Sequence, residues 1–206
     1  MPTFLYQPES PFREPHLFFG LDLGRRHDPS ALVLLERLLL PTGRTDPVTF
    51  LPEARLAFRL RFACRFPLNL PYLELLRRLP RLLQPPHSAC PNKTLAVDAT
   101  GVGAPFVELL RRLPLGATLV PITITAGLHP APDPHGGFLV PRRDLLSRLR
   151  ILFESGLLRI PRSLPERASL LEELARLSDH PAPHHDDLAL ALALAAWPAA
   201  RHLPLP

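Results

Sequence analysis

Leu17-Phe18-Phe19-Gly20-Leu21-Asp22 is a short apolar run closed by a carboxylate, and the turn residues Gly24-Arg25-Arg26-His27-Asp28-Pro29 follow it closely. A run of this length bounded by turn chemistry reads as a buried strand. The pattern returns at Thr94-Leu95-Ala96-Val97-Asp98, followed by the turn Ala99-Thr100-Gly101-Val102-Gly103. An acid at the C-terminal end of a buried strand stands at the sheet edge where α/β folds place their ligands. Neighbouring strands lie about 5 Å apart, so side by side these two would point Asp22 and Asp98 into one small volume. Like charges that close raise one another's pKa unless a cation is present.

Working outward, Ser30 to Glu36 is a second apolar run that forms a hairpin with the first. Residues 41–53 read as a Pro/Gly/Asp-rich loop. Ala54 to Phe66 alternates Arg55, Arg59 and Arg61 with Leu56, Phe58 and Leu60, the period of a half-exposed strand. Helices are predicted for Pro71 to Leu83, which Pro80 kinks or ends, and for Ala104 to Leu113. Two more are predicted, Pro141 to Ser155 with proline at its start, and Pro165 to Leu177. Thr118 to Thr125 and Leu157 to Ile160 read as strands, and 126–137 as a loop. Asp186 to Trp197 is ambiguous, because Leu188, Leu190, Leu192 and Leu194 alternate with alanine as in a strand. Ala and Leu are strong helix formers, however, and paired acids suit a helix N-terminus, so this element is predicted to be a buried helix. The order is three meandering strands, then helix, strand, helix, strand and further helices. That is an α/β fold, a mixed sheet flanked by helices. A right-handed crossover sets the fourth strand parallel to the first, and both aspartates then reach the same edge.

A carboxylate cluster of this kind suits hard cations, Mg²⁺ or Mn²⁺. Two such ions about 3.5–4 Å apart activate water and stabilise the leaving oxygen of a phosphodiester. The third acidic position is His184-His185-Asp186-Asp187, at the start of the last helix. The candidate metal ligands are therefore Asp22, Asp98, Asp186 and Asp187. His184, spaced i,i+3 from Asp187, is a further catalytic candidate, as a ligand or to orient the attacking water. Each position also has a plain structural reading. An aspartate after a strand is often a turn residue, Asp98 can cap the next helix, and the run of His and Asp can be ordinary N-capping. Asp28, before Pro29, is read as a turn residue. Arg142 and Arg143 at a helix N-terminus, and Arg25 and Arg26 in the first turn, are the candidate DNA-phosphate contacts.

With 206 residues, 46% hydrophobic and 21% charged, the chain can build one large core without staples. The net charge is +5 and Lys93 is the single lysine among 24 basic residues. Arginine's planar fork suits phosphate, and the sign suits a nucleic-acid partner, although coding bias also replaces lysine with arginine. Cys64 and Cys90 have no metal spacing and suggest no disulfide framework, so a reduced, cytoplasmic setting is expected. Met1 to Pro15 lacks the apolar stretch of a signal peptide, and the run Leu188 to Trp197 is about half of what spans a bilayer.

These stretches together resemble the nuclease domain of phage terminase large subunits. The resemblance rests on Gly20-Leu21-Asp22-Leu23-Gly24 with Asp28-Pro29-Ser30-Ala31, and on Val97 to Gly103. It continues through Gly137-Phe138-Leu139-Val140-Pro141-Arg142-Arg143-Asp144-Leu145, Gly156 to Pro161, Leu171-Glu172-Glu173-Leu174 and His185 to Ala191. It covers roughly residues 17–200. It implies a ribonuclease-H-like fold and metal-dependent cleavage of double-stranded, concatemeric DNA during genome packaging. It carries metal-ligand roles onto Asp22, Asp98 and Asp187, with Asp186 close behind. The expected organisation is an irregular arm at 1–15, the nuclease domain at 16–200 and a tail at 201–206. The phosphate-binding Gly-x-x-x-x-Gly-Lys-Ser/Thr loop of a packaging ATPase is absent. A separate motor, a small terminase subunit or a portal are thus the protein partners implied, in a phage or prophage setting. The family tends to carry Lys near Arg142 and Arg143.

Rival readings remain within and outside enzymology. The Gly-Leu-Asp-Leu-Gly and Asp-Ala-Thr-Gly stretches also resemble phosphate loops of actin-like ATPases and sugar kinases, which need a second lobe and a longer chain. A four-way-junction resolvase would use the same metal site. A non-enzymatic DNA-binding or assembly module of the same fold is the third alternative.

Overall fold

The structure is a computed structural model that describes residues 3–5, 15–24, 28–84, 92–177 and 186–201. Within these the chain runs β1 (Thr3–Leu5), β2 (His16–Asp22), β3 (Ala31–Thr45), β4 (Pro52–Arg65), α1 (Tyr72–Leu82), β5 (Lys93–Asp98) and α2 (Gly103–Leu110). It continues with β6 (Thr118–Thr125), β7 (Ala131–Pro132), β8 (Phe138–Pro141), α3 (Arg142–Glu154), β9 (Leu158–Arg159), α4 (Arg167–Arg176) and α5 (Asp187–Ala200).

The two apolar runs that end in aspartate are neighbours at the centre of one mixed sheet, ordered β1-β4-β3-β2-β5-β6-β8-β7, with β9 on β4. β2, β3 and β4 form the antiparallel meander, while β5, β6 and β8 extend the sheet in parallel from β2. This is the ribonuclease-H-like arrangement expected, with helices on both faces. Strand alternation divides the core in two. Phe18, Val33, Ala96 and Ile122 face α3, α4 and α5, while Leu17, Phe19, Leu21 and Val97 face α1 and α2. Asp22 and Asp98 keep step with Gly20 and Ala96, which places them on the α5 side.

Helix α5 resolves the ambiguity of the Leu/Ala stretch. It crosses β2, β3 and β5 and is buried along nearly all its length, so leucines are tolerated on every side. Its axis lies unusually close to β2. A Cβ on Gly20 would stand 1.9 Å from Ala191 O and 2.7 Å from Ala195 N. Asp187, Ala191 and Ala195 follow at i, i+4 and i+8, so the face that touches Gly20 is the face that carries Asp187. The far end of α5 is held by cations, as a helix C-terminus favours. Arg37, buried against Phe18, donates to Ala199 O at 3.0 Å, and Arg148 donates to Ala200 O at 3.3 Å.

Several boundaries differ from those expected. β3 and β4 continue as a two-stranded ribbon through most of 41–53, leaving a turn at 46–51 closed by Asp46 N–H to Leu51 O. The Pro41 and Gly43 signals mark an irregular register between Pro41 and Thr45 and not a loop. Pro80 sits inside α1 without ending it, and Leu79 before it and Leu83 after it are both buried. Phe138–Pro141 forms β8 ahead of α3, and Thr3–Leu5 within the expected arm forms β1.

Substituting Gly20→Ala forces a methyl group into the α5 backbone. It is expected to lower unfolding stability by about 2–3 kcal/mol. Urea unfolding followed by circular dichroism measures this, and an unchanged midpoint would contradict the close approach.

Candidate active site

Strand pairing sets the two strand-end acids side by side, and a local turn holds Asp98. Leu21 pairs with Val97 in the last parallel step, so Asp22 and Asp98 stand one residue beyond it on adjacent strands. Asp98 Oδ1 accepts the Thr100 N–H at 2.8 Å, and Thr100 Oγ1 accepts the Ile124 N–H at 2.9 Å, which ties the turn to β6. Gly103 lets α2 begin against Asp98, since a Cβ there would lie 2.1 Å from Asp98 O. Asp98 thus serves its own turn. It does not cap the helix that follows, as its position also allowed, because the residue at the N-cap of α2 is Val102.

The third acidic position arrives from α5. Asp187 is buried at its first turn, and Asp186 precedes it. Neither caps the helix with its side chain. That task falls to Glu173 of α4, whose Oε2 accepts the Ala189 N–H at 2.9 Å. Ordinary N-capping therefore does not explain these two aspartates.

The other three carboxylates act on Asp22. Asp22 is buried, and its carboxyl is held well above the usual aspartate range. Burial is the main cause, followed by the negative charges of Asp98, Asp187 and Asp186, with the Arg142 guanidinium pulling the other way. Arg142 is ion-paired with Asp186, and Arg65 reaches from the end of β4 to three acids. Arg65 Nη2 bonds Glu173 Oε1, its Nη1 is 3.6 Å from Glu166 Oε2, and its Nε is 3.6 Å from Asp187 Oδ2. The register explains the reach: Asp22 pairs with Ala31, and Ala31 with Arg65.

The fold that carries these residues is shared with solved structures. The nuclease domain of the human cytomegalovirus terminase, Mn-soaked and inhibitor-bound, matches with a TM-score of 0.55 at 13% identity, covering 90% of this chain and 83% of that one. The large terminase nuclease from the thermophilic phage G20c matches with a TM-score of 0.55 at 19% identity, covering 93% and 83%. The chain is a terminase nuclease-like domain in fold. No protein-family model and no curated protein matches it.

On this terminase-nuclease fold, Asp98, Asp186 and Asp187 lie close enough to Asp22 to act on its carboxyl. Arg142 stands on Asp186 inside the site, while exposed Arg143 donates to Leu128 O at 2.6 Å. Arg25, Arg26 and His184 lie outside the described residues. Arg65, Glu166 and Glu173 were not anticipated as site residues. A divalent cation suits the donor set in kind: the oxygens are hard, and the negative charge around Asp22 exceeds the positive charge that Arg142 brings. Among the described residues, however, no three acid, imidazole or thiol side chains are gathered as the ligands of one ion. Without a counter-ion such anions repel, and here the nearby guanidiniums pair with two of them. Among the described residues no helix is long and apolar enough to cross a membrane.

The raised Asp22 carboxyl has a consequence for stability. Between the unfolded value near 3.8 and the higher folded value, the native state holds a proton that the unfolded state has lost. Stability from this group therefore falls as pH rises through that window. Asp22→Asn, which mimics the protonated form, should melt higher than wild type at pH 7.5 in chelator, with the gap closing below about pH 4. A variant that melts lower at pH 7.5, or a gap independent of pH, would contradict the assignment.

Proposed function

We propose that this protein is a divalent-metal-dependent endodeoxyribonuclease that cuts double-stranded DNA. The observation that carries the reading is the convergence of Asp22, Asp98, Asp186 and Asp187 at the C-terminal edge of β2 and β5. The terminase-nuclease fold supports it, and one of the matched structures was soaked with Mn. Asp22, Asp98 and Asp187, joined by Asp186, would hold Mg²⁺ or Mn²⁺. Bound there, such ions activate water and stabilise the departing oxygen of a phosphodiester.

The chain's own residues set the conditions for that chemistry. Burial of Asp22 disfavours its bare charge, so its affinity for a cation is high in the folded site. Arg142, paired with Asp186, and the exposed Arg143 next to it, both on the first turn of α3, would be the phosphate contacts at that helix N-terminus. Phosphate contacts carry no base information, so little sequence preference follows. The partners proposed are double-stranded DNA and, for packaging, a separate ATPase motor, a small terminase subunit or a portal. A second reading, a DNA-binding or assembly module without turnover, is favoured by one observation: guanidiniums already stand on Asp186 and near Asp187.

Plasmid conversion separates the two. Wild type is expected to nick or linearise supercoiled DNA with Mn²⁺ or Mg²⁺, and Asp22→Asn, Asp98→Asn and Asp187→Asn are expected to fall to the chelator background. Equal cleavage by wild type and all three variants assigns the activity to a contaminant, and absence of cleavage by purified wild type favours the module. DNA affinity should also fall steeply with salt, since arginines displace condensed counterions. A flat dependence in a binding titration removes the nucleic-acid partner.

A further inference from the structure

Glu173 is the least conspicuous acid in the site and the most tightly placed. It is only 6% exposed, although it comes from a helix with a polar outer face. One of its oxygens is fixed by the Ala189 N–H of α5, and the other is bonded by Arg65 Nη2. Arg65 has two other acids within reach, Glu166 and Asp187, each at 3.6 Å. That distance is an ion pair too long for a direct hydrogen bond. The guanidinium edge that faces Asp187 is formed by Nε and Nη2, and its Nη2 is committed to Glu173. Whichever acid takes Arg65 directly thus decides how closely the cation sits on Asp187.

We propose that Glu173 is a positioning residue for the carboxylate site: by holding Arg65, it keeps that guanidinium from closing on Asp187. The inference rests on the metal-dependent reading above, in which Asp187 is a ligand. Arg65 directly on Asp187 would compete with a divalent cation for the same oxygens. Glu173 prevents this from α4 while it caps α5, so one side chain both places the ligand-bearing helix and restrains the competing cation. The Leu171-Glu172-Glu173-Leu174 stretch then has a chemical role.

The test is Mn²⁺ uptake by the DNA-free protein, measured by calorimetric titration, with melting temperature and circular dichroism as checks on folding. Glu173→Gln keeps an amide oxygen for the Ala189 N–H but loses the charge that holds Arg65. Its Mn²⁺ affinity should fall about 10–100-fold, the usual effect of losing a partner behind a metal ligand. The double variant Arg65→Gln/Glu173→Gln removes the competing cation as well and should regain most of that loss. A purely architectural Glu173 predicts the opposite, a double variant no better than the single one. Arg65→Gln alone supplies the same test from the other side and should take up Mn²⁺ at least as tightly as wild type. Glu173→Gln binding like wild type, or a double variant as weak as Glu173→Gln, overturns this proposal alone. Wild type that takes up no Mn²⁺, or Asp22→Asn that takes it up equally, overturns the metal reading and this proposal with it.

Discussion

The backbone of α5 touches the backbone of β2, and much else in the molecule follows from that contact. It is possible only because residue 20 has no side chain, since a Cβ there would collide with Ala191 O at 1.9 Å. At ordinary helix-to-sheet spacing, Asp187 would stand further from Asp22. Instead α5 lies flat on β2, β3 and β5, and its first turn delivers two acids to the edge where β2 and β5 end in aspartate. Both ends of the helix are then satisfied by side chains from elsewhere. Glu173 accepts from the first turn, and Arg37 and Arg148 donate to the last. A buried helix needs such partners, because water does not reach its terminal groups.

That placement concentrates negative charge where solvent is scarce. Asp22 feels three other carboxylates and one guanidinium. Two features answer this: the Asp22 carboxyl is held well above the usual aspartate range, which favours its neutral form, and arginines stand on or near Asp186 and Asp187. Either device must give way for a divalent cation to bind. On the metal-dependent reading, proton, guanidinium and metal compete for the same oxygens.

Much of this was legible in the sequence. The two central strands announced themselves as short apolar runs with a terminal carboxylate, and parallel pairing put both acids at one edge. The last element was legible as a helix because Ala and Leu favour one strongly enough to override strand-like alternation. β8 was missed because its four residues, which follow Gly137 and end in the proline read as a helix start, carry no period of their own. The long β3–β4 ribbon was missed because Pro41 and Gly43 signal loops, whereas here they sit in an irregular stretch of ladder. In the site, the acids could be read from strand and helix ends. Arg65 could not, since an arginine in an alternating strand looks like a solvated face. Glu173, 108 residues away, looks like the polar side of an amphipathic helix. Only tertiary packing joins them, so no local pattern reports the pair. Arg142 shows the same limit: its position at a helix start was legible, but its partner Asp186 was not.

The central claim is that these acids form a cation site and not merely a buried charge cluster matched by arginines. A crystal of the protein soaked in Mn²⁺, with anomalous scattering recorded at the manganese edge, tests it most directly. The account predicts anomalous peaks bounded by Asp22, Asp98 and Asp187, with Arg142 moved off Asp186. Full-occupancy manganese elsewhere, with both arginines still on their acids and no peak at the sheet edge, would contradict it.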